Sequence, residues 1–410
     1  MRSSVLFDWQ SSTKDNWVLN LELFPSSNSF IASASDGSLN GYSLVNHSNT
    51  PIFSIPKAHE SSINSIKKID EFTLASCSTD GVKVWDLRSL SQSPIHSLTN
   101  AKSSNFLSLG YGHNLLAGGT ELVGVDAELH IWDLRNPQEV VRSFIDSHHD
   151  DITCIEFHPT ISNYLMSGST DGYVNVYDLN EQDEDDALHQ VINYASVHSC
   201  HFTSEKRISI LTHMETLAFY ELNDTNYEVI AEPEPNDLGD VRSSWPDCEY
   251  VVDLNPAGYV GVGANSQRKL ALFPFDIQQE KIDLEKPVWF ADAHGDEVVR
   301  DLVVVPNTQT ALTCGEDGHI RLWKLPYELT PSAPIGQKVD KTEGEASDIE
   351  VDSDSESERK KEKKEKKKKE KKEKKEKKEK KDKKDKKDKD KKKDKKDKKK
   401  KKSDVRFKPY

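Results

Sequence analysis

Residues 76–88 read Ser-Cys-Ser-Thr-Asp-Gly-Val-Lys-Val-Trp-Asp-Leu-Arg, a turn signal followed by a short strand pattern. Gly81 permits the positive φ that a tight hairpin turn requires. Val82, Lys83 and Val84 then alternate between apolar and polar, which is typical of a strand whose two faces are covered differently. A similar order returns at residues 317–323, Asp-Gly-His-Ile-Arg-Leu-Trp. The pattern predicts an antiparallel hairpin that recurs along the chain.

An aromatic residue ends such a run seven times, at intervals of 43 to 53 residues: Tyr42, Trp85, Trp132, Tyr177, Tyr220, Phe273 and Trp323. This period predicts seven units of about four strands each. One four-stranded sheet leaves its edges exposed, whereas seven sheets stacked around an axis cover one another's faces. No helical pattern of useful length intervenes, which disfavours a parallel α/β fold. The sequence predicts an all-β, seven-bladed propeller.

The two ends of this propeller are expected to meet in one blade. After Trp323 and Leu325 the sequence becomes Pro-rich and offers no outer strand for the seventh unit. The run from Ser4 to Trp9 precedes the first unit and is predicted to supply that strand. We therefore place the propeller at residues 1–326.

The Trp-Asp pairs at 85–86 and 132–133, with the Ser-x-Asp-Gly turns, resemble the WD-repeat family. The resemblance implies a buried chain of His, Ser or Thr, Asp and Trp, in which each polar group finds a partner. Blade 1 lacks a convincing His, and blades 5 and 6 lack the Asp-Gly turn. The sequence offers two complete tetrads and one partial set: His59, Ser76, Asp80 and Trp85 in blade 2; His294, Thr313, Asp317 and Trp323 in blade 7; His148, Ser167, Asp171 and Tyr177 in blade 4.

The chain is also similar to the subfamily called WD repeat-containing protein 89, at residues 118–121 followed by a long loop to Trp132, at 211–213 with 219–220, at 240–242, and at 315–317 with 322–324. This resemblance implies an intracellular propeller without an assigned reaction. Five scattered cysteines without CxxC spacing are expected to be reduced thiols. The N-terminus lacks a signal peptide and no run of about 18 apolar residues occurs, so we expect neither secretion nor a membrane span.

Catalysis and metal binding are not expected. His198, Cys200 and His201 are potential metal ligands, but alternation would place His198 and Cys200 on one strand face and His201 on the other. No nucleophile elbow, P-loop or dinucleotide glycine pattern appears. We predict no catalytic residue, no metal, no cofactor and no small-molecule substrate. The acidic run 181–186 is interpreted as a solvated loop, with attraction of a basic partner or a cation as the alternative.

The tetrapeptide Trp-Asp-Leu-Arg occurs twice, at 85–88 and 132–135. A similar motif in the WD-repeat substrate receptors of cullin ubiquitin ligases places its Arg on the propeller underside for the adaptor. The resemblance makes Arg88 and Arg135 candidate adaptor contacts. The ordinary repeat consensus produces the same residues, so both interpretations stay open.

The C-terminal residues have a different composition. Of 56 basic and 70 acidic residues, 34 and 13 lie in 359–410, which gives this segment a net charge of +21 and the remainder −35. Residues 327–358 are predicted to be a disordered acidic and serine-rich linker, and 359–410 a disordered lysine-rich tail. Ser347, Ser353 and Ser355 resemble acidophilic kinase sites. The lysines at both ends of the tract represent the basic tail: Lys360, Lys361, Lys363, Lys364, Lys400, Lys401 and Lys402.

Such a tract binds polyanions through counterion release, and without interleaved aromatics it cannot read bases. We expect nonspecific RNA contact and nuclear, including nucleolar, and cytoplasmic localisation. A solubilising tail, or one that folds onto its own acidic propeller, is the alternative. The expected function is a monomeric protein-interaction scaffold within a nuclear assembly such as ribosome biogenesis. The second hypothesis is a cullin substrate receptor.

Overall fold

The computed structural model describes residues 1–11, 15–89, 91–224 and 234–329. These residues form seven consecutive antiparallel sheets, which are the blades of a β-propeller. The predicted all-β, seven-bladed fold is confirmed. All seven aromatic residues that defined the period lie on the third strand of a blade.

The strands of blades 1 to 4 follow one another from the inner to the outer edge. They are β2 (Val18–Phe24), β3 (Ser29–Ala34), β4 (Leu39–Ser43) and β5 (Phe53–Ile55); β6 (Ser65–Asp70), β7 (Thr73–Ser78), β8 (Gly81–Asp86) and β9 (His96–Leu98); β10 (Phe106–Gly112), β11 (Leu115–Thr120), β12 (Ala127–Asp133) and β13 (Val140–His148); β14 (Ile152–Phe157), β15 (Tyr164–Ser169), β16 (Tyr173–Asp178) and β17 (Leu188–Asn193).

Blades 5 to 7 complete the ring. They comprise β18 (Val197–Ser204), β19 (Arg207–Thr212), β20 (Thr216–Glu221) and β21 (Asn236–Asp240); β22 (Tyr250–Asn255), β23 (Tyr259–Ala264), β24 (Lys269–Asp276), β25 (Lys281–Ile282) and β26 (Val288–Ala291); β27 (Val299–Val305), β28 (Thr310–Gly315), β29 (His319–Lys324) and β1 (Ser4–Gln10). The short helices are α1 (Glu184–Ala187) and the 3-10 turns Pro25–Ser27, Val241–Ser243 and Asn265–Gln267.

The core lies between neighbouring blades. Trp85 and Phe24, from blades 2 and 1, share one apolar cluster, and Tyr164 and Phe202, from blades 4 and 5, share another. Burying one such large side chain contributes roughly 1.5–3 kcal/mol. Each blade is therefore stabilised by its neighbours, which favours a closed ring.

The N-terminal strand closes the ring in blade 7. β1 pairs antiparallel with β29 from Ser4 opposite Lys324 to Gln10 opposite His319. Trp9 is fully buried, and its indole Nε1 donates to the Ser48 carbonyl in blade 1 at 2.8 Å. This agrees with the sequence interpretation and adds a contact that crosses into the next blade.

Blade 6 departs from the expected four strands. Its outer position is divided between β25 and β26, which both pair with β24. Pro274 lies between the two paired segments and has no N–H to donate to the ladder. The residues between the two strands form a separate loop, so the sheet of blade 6 has five strands where the other blades have four.

The boundary predicted at residue 326 needs a small correction. Leu329 is buried in the cluster shared by blades 6 and 7, and the Tyr327 hydroxyl donates to the Lys286 carbonyl at 2.8 Å. Tyr327 and Leu329, at the start of the predicted linker, therefore pack on the propeller. The rest of the predicted linker and tail, 330–410, lies outside the described residues. Within the described ranges, no helix is long and apolar enough to cross a membrane.

Candidate functional site

The propeller presents two loop-bearing faces. Because neighbouring strands run antiparallel, the turn between the second and third strands lies on the same side as the loop leading to the next blade. We call this side the tetrad face. Turns between the first and second strands, and between the third and outer strands, lie on the opposite face.

The blade 2 tetrad joins the loop that leads from blade 1 into blade 2, which carries His59, to the strands β7 and β8. The Trp85 indole Nε1 donates to Ser76 Oγ at 2.8 Å, and Ser76 Oγ lies 2.7 Å from His59 Nε2. The other ring nitrogen of His59 faces the Asp80 carboxylate. Burial lowers the pKa of His59, and hydrogen bonds from Lys83 and His59 outweigh burial to lower the pKa of Asp80. A neutral imidazole therefore donates to an ionised carboxylate.

Blade 7 repeats this arrangement with a threonine. Trp323 Nε1 donates to Thr313 Oγ1 at 2.9 Å, Thr313 lies 2.8 Å from His294 Nε2, and His294 Nδ1 lies 2.7 Å from Asp317. Burial opposes ionisation of Asp317, but its partners His294 and Arg321 lower its pKa to about 2. The two complete predicted sets are thus each brought together as structural hydrogen-bond chains.

The partial set in blade 4 is assembled with a weaker last link. His148 lies 2.9 Å from Asp171 and 2.7 Å from Ser167, but Ser167 Oγ is 3.4 Å from the Tyr177 hydroxyl. Asn175, which the sequence analysis missed, places its amide 3.3 Å from both His148 Nε2 and the Tyr177 hydroxyl. Its position two residues before the aromatic, on the same strand face, is the signal that could have found it.

Blade 3 holds a different buried polar network that sequence analysis also missed. Asn100 lies in the loop that leads from blade 2 into blade 3, a position that corresponds to that of His59 one blade earlier. Its side-chain amide donates to the Glu128 carboxylate at 2.9 Å. His130 lies 2.9 Å from Glu128 and 2.8 Å from Ser143. In this network an asparagine replaces the histidine of the tetrads. The histidine pattern therefore could not predict the network from the sequence.

Charged side chains join the inner strands of blades 4, 5 and 6. His201 lies 3.0 Å from Glu156 and 3.2 Å from Asp253, and Ser199 Oγ donates to Asp253 at 2.8 Å. Burial opposes protonation of His201, but the two carboxylates raise its pKa well above the ordinary value. The residue is therefore a cation that links three blades.

The expected shared face of His198 and Cys200 is wrong. A register shift between Val197 and Ser199 interrupts the alternation of β18. His198 is exposed and contacts the His213 ring, whereas Cys200 is buried. Within the described part of the chain, no group of three or more His, Cys, Asp or Glu side chains is arranged to hold a metal.

Arg88 and Arg135 follow the third strands of adjacent blades, on the opposite face. Each guanidinium makes a two-point ion pair with the Asp two residues earlier, Asp86 or Asp133. Their side chains remain 64% and 74% exposed. Arg242 forms the same kind of two-point ion pair with Asp240, but it lies on the tetrad face. The geometry thus arises from local sequence and occurs on both faces.

The tetrad face also exposes apolar side chains. The blade 3 turn between β11 and β12 projects Leu122, Val123 and Val125, and Val125 is 75% exposed. Leu122 N donates to Asp151 at 2.8 Å, and Val123 and Asp126 form an isolated β-bridge. Backbone bonds therefore hold the turn while its apolar side chains remain in solvent.

The acidic run 181–186 is interpreted from the sequence as a solvated loop, but it is more ordered than that interpretation implies. Asp183 caps α1, and the Glu184 carboxylate accepts from Ile145 N and Asp146 N of β13 at 2.9 and 3.0 Å. These N–H groups belong to the outer strand of blade 3. Glu184 therefore covers an exposed sheet edge.

Other predicted residues fall outside the described ranges. They are the phosphorylation candidates Ser347, Ser353 and Ser355 and the lysines Lys360, Lys361, Lys363, Lys364, Lys400, Lys401 and Lys402.

Comparison with known proteins gives consistent matches. The family model for the WD domain, G-beta repeat, matches residues 138–178 and 285–324. Each match begins at or near the outer strand of one blade and ends on the third strand of the next, and each contains a set of His, Ser or Thr, and Asp. The sequence repeat is therefore offset from the blade by one strand.

Three relatives match over most of their length. An uncharacterised WD repeat-containing protein of Saccharomyces cerevisiae is 45% identical over 333 residues, or 79% of this chain and 82% of that protein. One of Schizosaccharomyces pombe is 35% identical over 292 residues, or 67% and 86%. The WD repeat-containing protein 89 homolog of Dictyostelium discoideum is 28% identical over 323 residues, or 75% and 82%.

Proposed function

Because the chain belongs to the WD-repeat protein family, we propose that it is a non-enzymatic scaffold which binds protein partners in a nuclear or nucleolar assembly, such as one of ribosome biogenesis. The observation that carries this proposal is the exposed apolar turn of blade 3 on the tetrad face. Backbone hydrogen bonds fix the turn that carries Val123 and Val125, yet the side chains of both residues are exposed to solvent. Exposed apolar groups of this kind are typical of protein-interaction sites.

The nuclear part of the proposal is supported by the tail sequence. Residues 359–402 contain 32 Lys or Arg and 12 Asp or Glu, a net charge of +20. This charge favours import and nonspecific contact with RNA, where counterion release supplies the affinity. The scaffold would then be concentrated where RNA is abundant, with its partners held on the propeller.

Quantitative affinity purification of the tagged full chain tests the scaffold. The double variant Val123→Ser/Val125→Ser should lose partner proteins of a pre-ribosomal assembly. The matched control, Val45→Ser/Ile52→Ser, changes two exposed residues at the third-to-outer-strand connection of blade 1, on the opposite face, and should retain them. Equal recovery of these partners by both variants, with both folded, would contradict the assignment to the tetrad face.

A cullin substrate receptor is the second candidate function, and the side-by-side exposure of Arg88 and Arg135 favours it. Changing both to Glu should abolish co-purification of a cullin adaptor. Arg242→Glu is the control, because it breaks the same kind of Asp–Arg pair on the other face. Retention of the adaptor by the folded double variant, or no adaptor with the wild type, would exclude this function.

A further inference from the structure

Cys154 and Cys200 face each other across the contact between blades 4 and 5. Their Sγ atoms are 3.1 Å apart, although the residues belong to inner strands of different sheets. A disulfide has an S–S distance of about 2.05 Å, so approach by roughly 1 Å would bring the sulfurs into bonding range.

The space for both sulfurs depends on Gly168, on the second strand of blade 4. A Cβ at this position would lie 2.7 Å from Cys154 Sγ and 3.2 Å from Cys200 Sγ. Any larger residue would therefore push the two sulfurs. Thr153 Oγ1 also donates to the Val197 carbonyl at 2.8 Å, which holds the two inner strands together beside the pair.

The two thiols are chemically unequal. Cys154 is partly exposed, whereas Cys200 is 1% exposed. A hydrogen bond from Cys200 and the positive charge of His201 outweigh burial and lower the pKa of Cys154. The bond to Cys154 and burial raise the pKa of Cys200. Of the five cysteines, Cys154 alone combines partial exposure of the residue with a lowered pKa, because burial raises the pKa of the other partly exposed cysteine, Cys248, to about 12.

We propose that Cys154 and Cys200 form a peroxide-sensitive pair that closes to a disulfide and covalently joins blades 4 and 5. The Cys154 thiolate attacks one oxygen of hydrogen peroxide; an S–O bond forms, the O–O bond breaks, and the leaving hydroxide takes a proton from solvent to become water. Cys154 is thereby oxidised to a sulfenic acid while the peroxide is reduced by two electrons. The Cys200 sulfur then attacks Cys154 Sγ; the S–S bond forms, the S–O bond breaks, and hydroxide leaves as water with the Cys200 proton.

Hydrogen peroxide treatment of the reduced full chain tests the pair. After alkylation of free thiols, non-reducing peptide mass spectrometry should find one cross-linked peptide pair that contains positions 154 and 200. The melting temperature should rise after oxidation and return after reduction. Cys248→Ser is the matched control and should retain both effects, whereas Cys154→Ser and Cys200→Ser should lose them.

The order of the two steps is tested by trapping with dimedone, which reacts with sulfenic acids. Cys200→Ser should accumulate the dimedone adduct at position 154, and Cys154→Ser should leave Cys200 unmodified. The wild type alone is decisive if a variant fails to fold, because thiols 154 and 200 should disappear together and before the others. Earlier oxidation of Cys248, or a stable sulfenic acid at position 154 without the cross-link, would overturn the proposal.

Discussion

The Asp301 carboxylate on the inner strand of blade 7 accepts a 2.8 Å hydrogen bond from the backbone N–H of Leu21 on the inner strand of blade 1. The two residues are 280 positions apart in the chain, and the bond lies where the last blade meets the first. Closure of the ring thus has an inner contact as well as the outer strand pairing of β1 with β29. The inner contact uses an acidic group, so its strength depends on pH.

Asp301→Asn should remove a pH dependence of stability. Burial raises the pKa of Asp301 to about 7, against about 4 in an unfolded chain. Its stabilising contribution is therefore full below pH ~4 and is lost as pH rises through about 7. Asparagine keeps a carbonyl acceptor for Leu21 without the charge, and it should stabilise the protein by about 1–3 kcal/mol at pH 8.

Urea unfolding at pH 5 and pH 8 measures this effect. Asp296→Asn removes a carboxylate that is 81% exposed and serves as the control for the change in net charge. The Asp301 variant should gain more at pH 8 than at pH 5, and the control should not. An identical pH profile for the wild type and the Asp301 variant would show that this carboxyl does not titrate as described.

Trp9→Ala should destabilise the closed ring by about 3–5 kcal/mol, because it removes a fully buried aromatic side chain and its bond to the Ser48 carbonyl. Deletion of residues 1–10 should cost at least several kcal/mol, since it also exposes an edge of β29. Val5→Ala, at a side chain that is 50% exposed on the same strand, should change stability by less than about 0.5 kcal/mol. Thermal unfolding compares them, and an unchanged melting temperature for Trp9→Ala or the truncation would contradict the role assigned to β1.

Ser76→Ala should destabilise more than Ser167→Ala. In blade 2 the Trp85 N–H and His59 Nε2 both depend on Ser76, so its loss leaves two buried groups without this partner and should cost about 1–3 kcal/mol. In blade 4 Asn175 remains near both His148 Nε2 and the Tyr177 hydroxyl. Chemical denaturation of the two variants gives the difference directly. Equal losses would mean that Asn175 does not substitute for the serine.

RNA affinity of the full chain should fall steeply with salt, with a log-log slope of roughly −0.7 per phosphate contacted on a single strand. Different RNA sequences should bind alike, because the tract 359–402 has no aromatic residue for stacking. Deleting this tract should abolish binding and reduce nuclear accumulation. Titrations at several salt concentrations and imaging of tagged proteins measure both. A tail-free protein that binds RNA and accumulates normally would refute the role of the tail.

Phosphomimetic changes at Ser347, Ser353 and Ser355 should weaken RNA binding, because they add negative charge beside the lysine tract.

The sequence predicted the architecture well because the propeller repeats a local pattern. An alternating strand and a closing aromatic are both local in the chain, and the spacing of the aromatics predicted the third strand of every blade, including blades 5 and 6, which lack the Asp-Gly turn. The tetrads of blades 2 and 7 followed from the WD-repeat resemblance, since each uses the expected residue types. Asn100 and Asn175 were missed because an amide replaces the histidine of that pattern in blade 3 and supplements its serine in blade 4.

The sequence by itself determined the number of blades and the opposite charges of residues 1–358 and 359–410, and its resemblance to the WD-repeat family named the tetrads of blades 2 and 7. Tertiary structure alone decided which residues meet between blades. The contacts of Asp301 with Leu21, Cys154 with Cys200, and His201 with Glu156 and Asp253 join inner strands of different sheets. Such partners have no fixed spacing in the chain, because their distance depends on the packing of one blade against the next and on register shifts within the strands. Periodicity places each strand within its own sheet, whereas only the closed ring brings these side chains together.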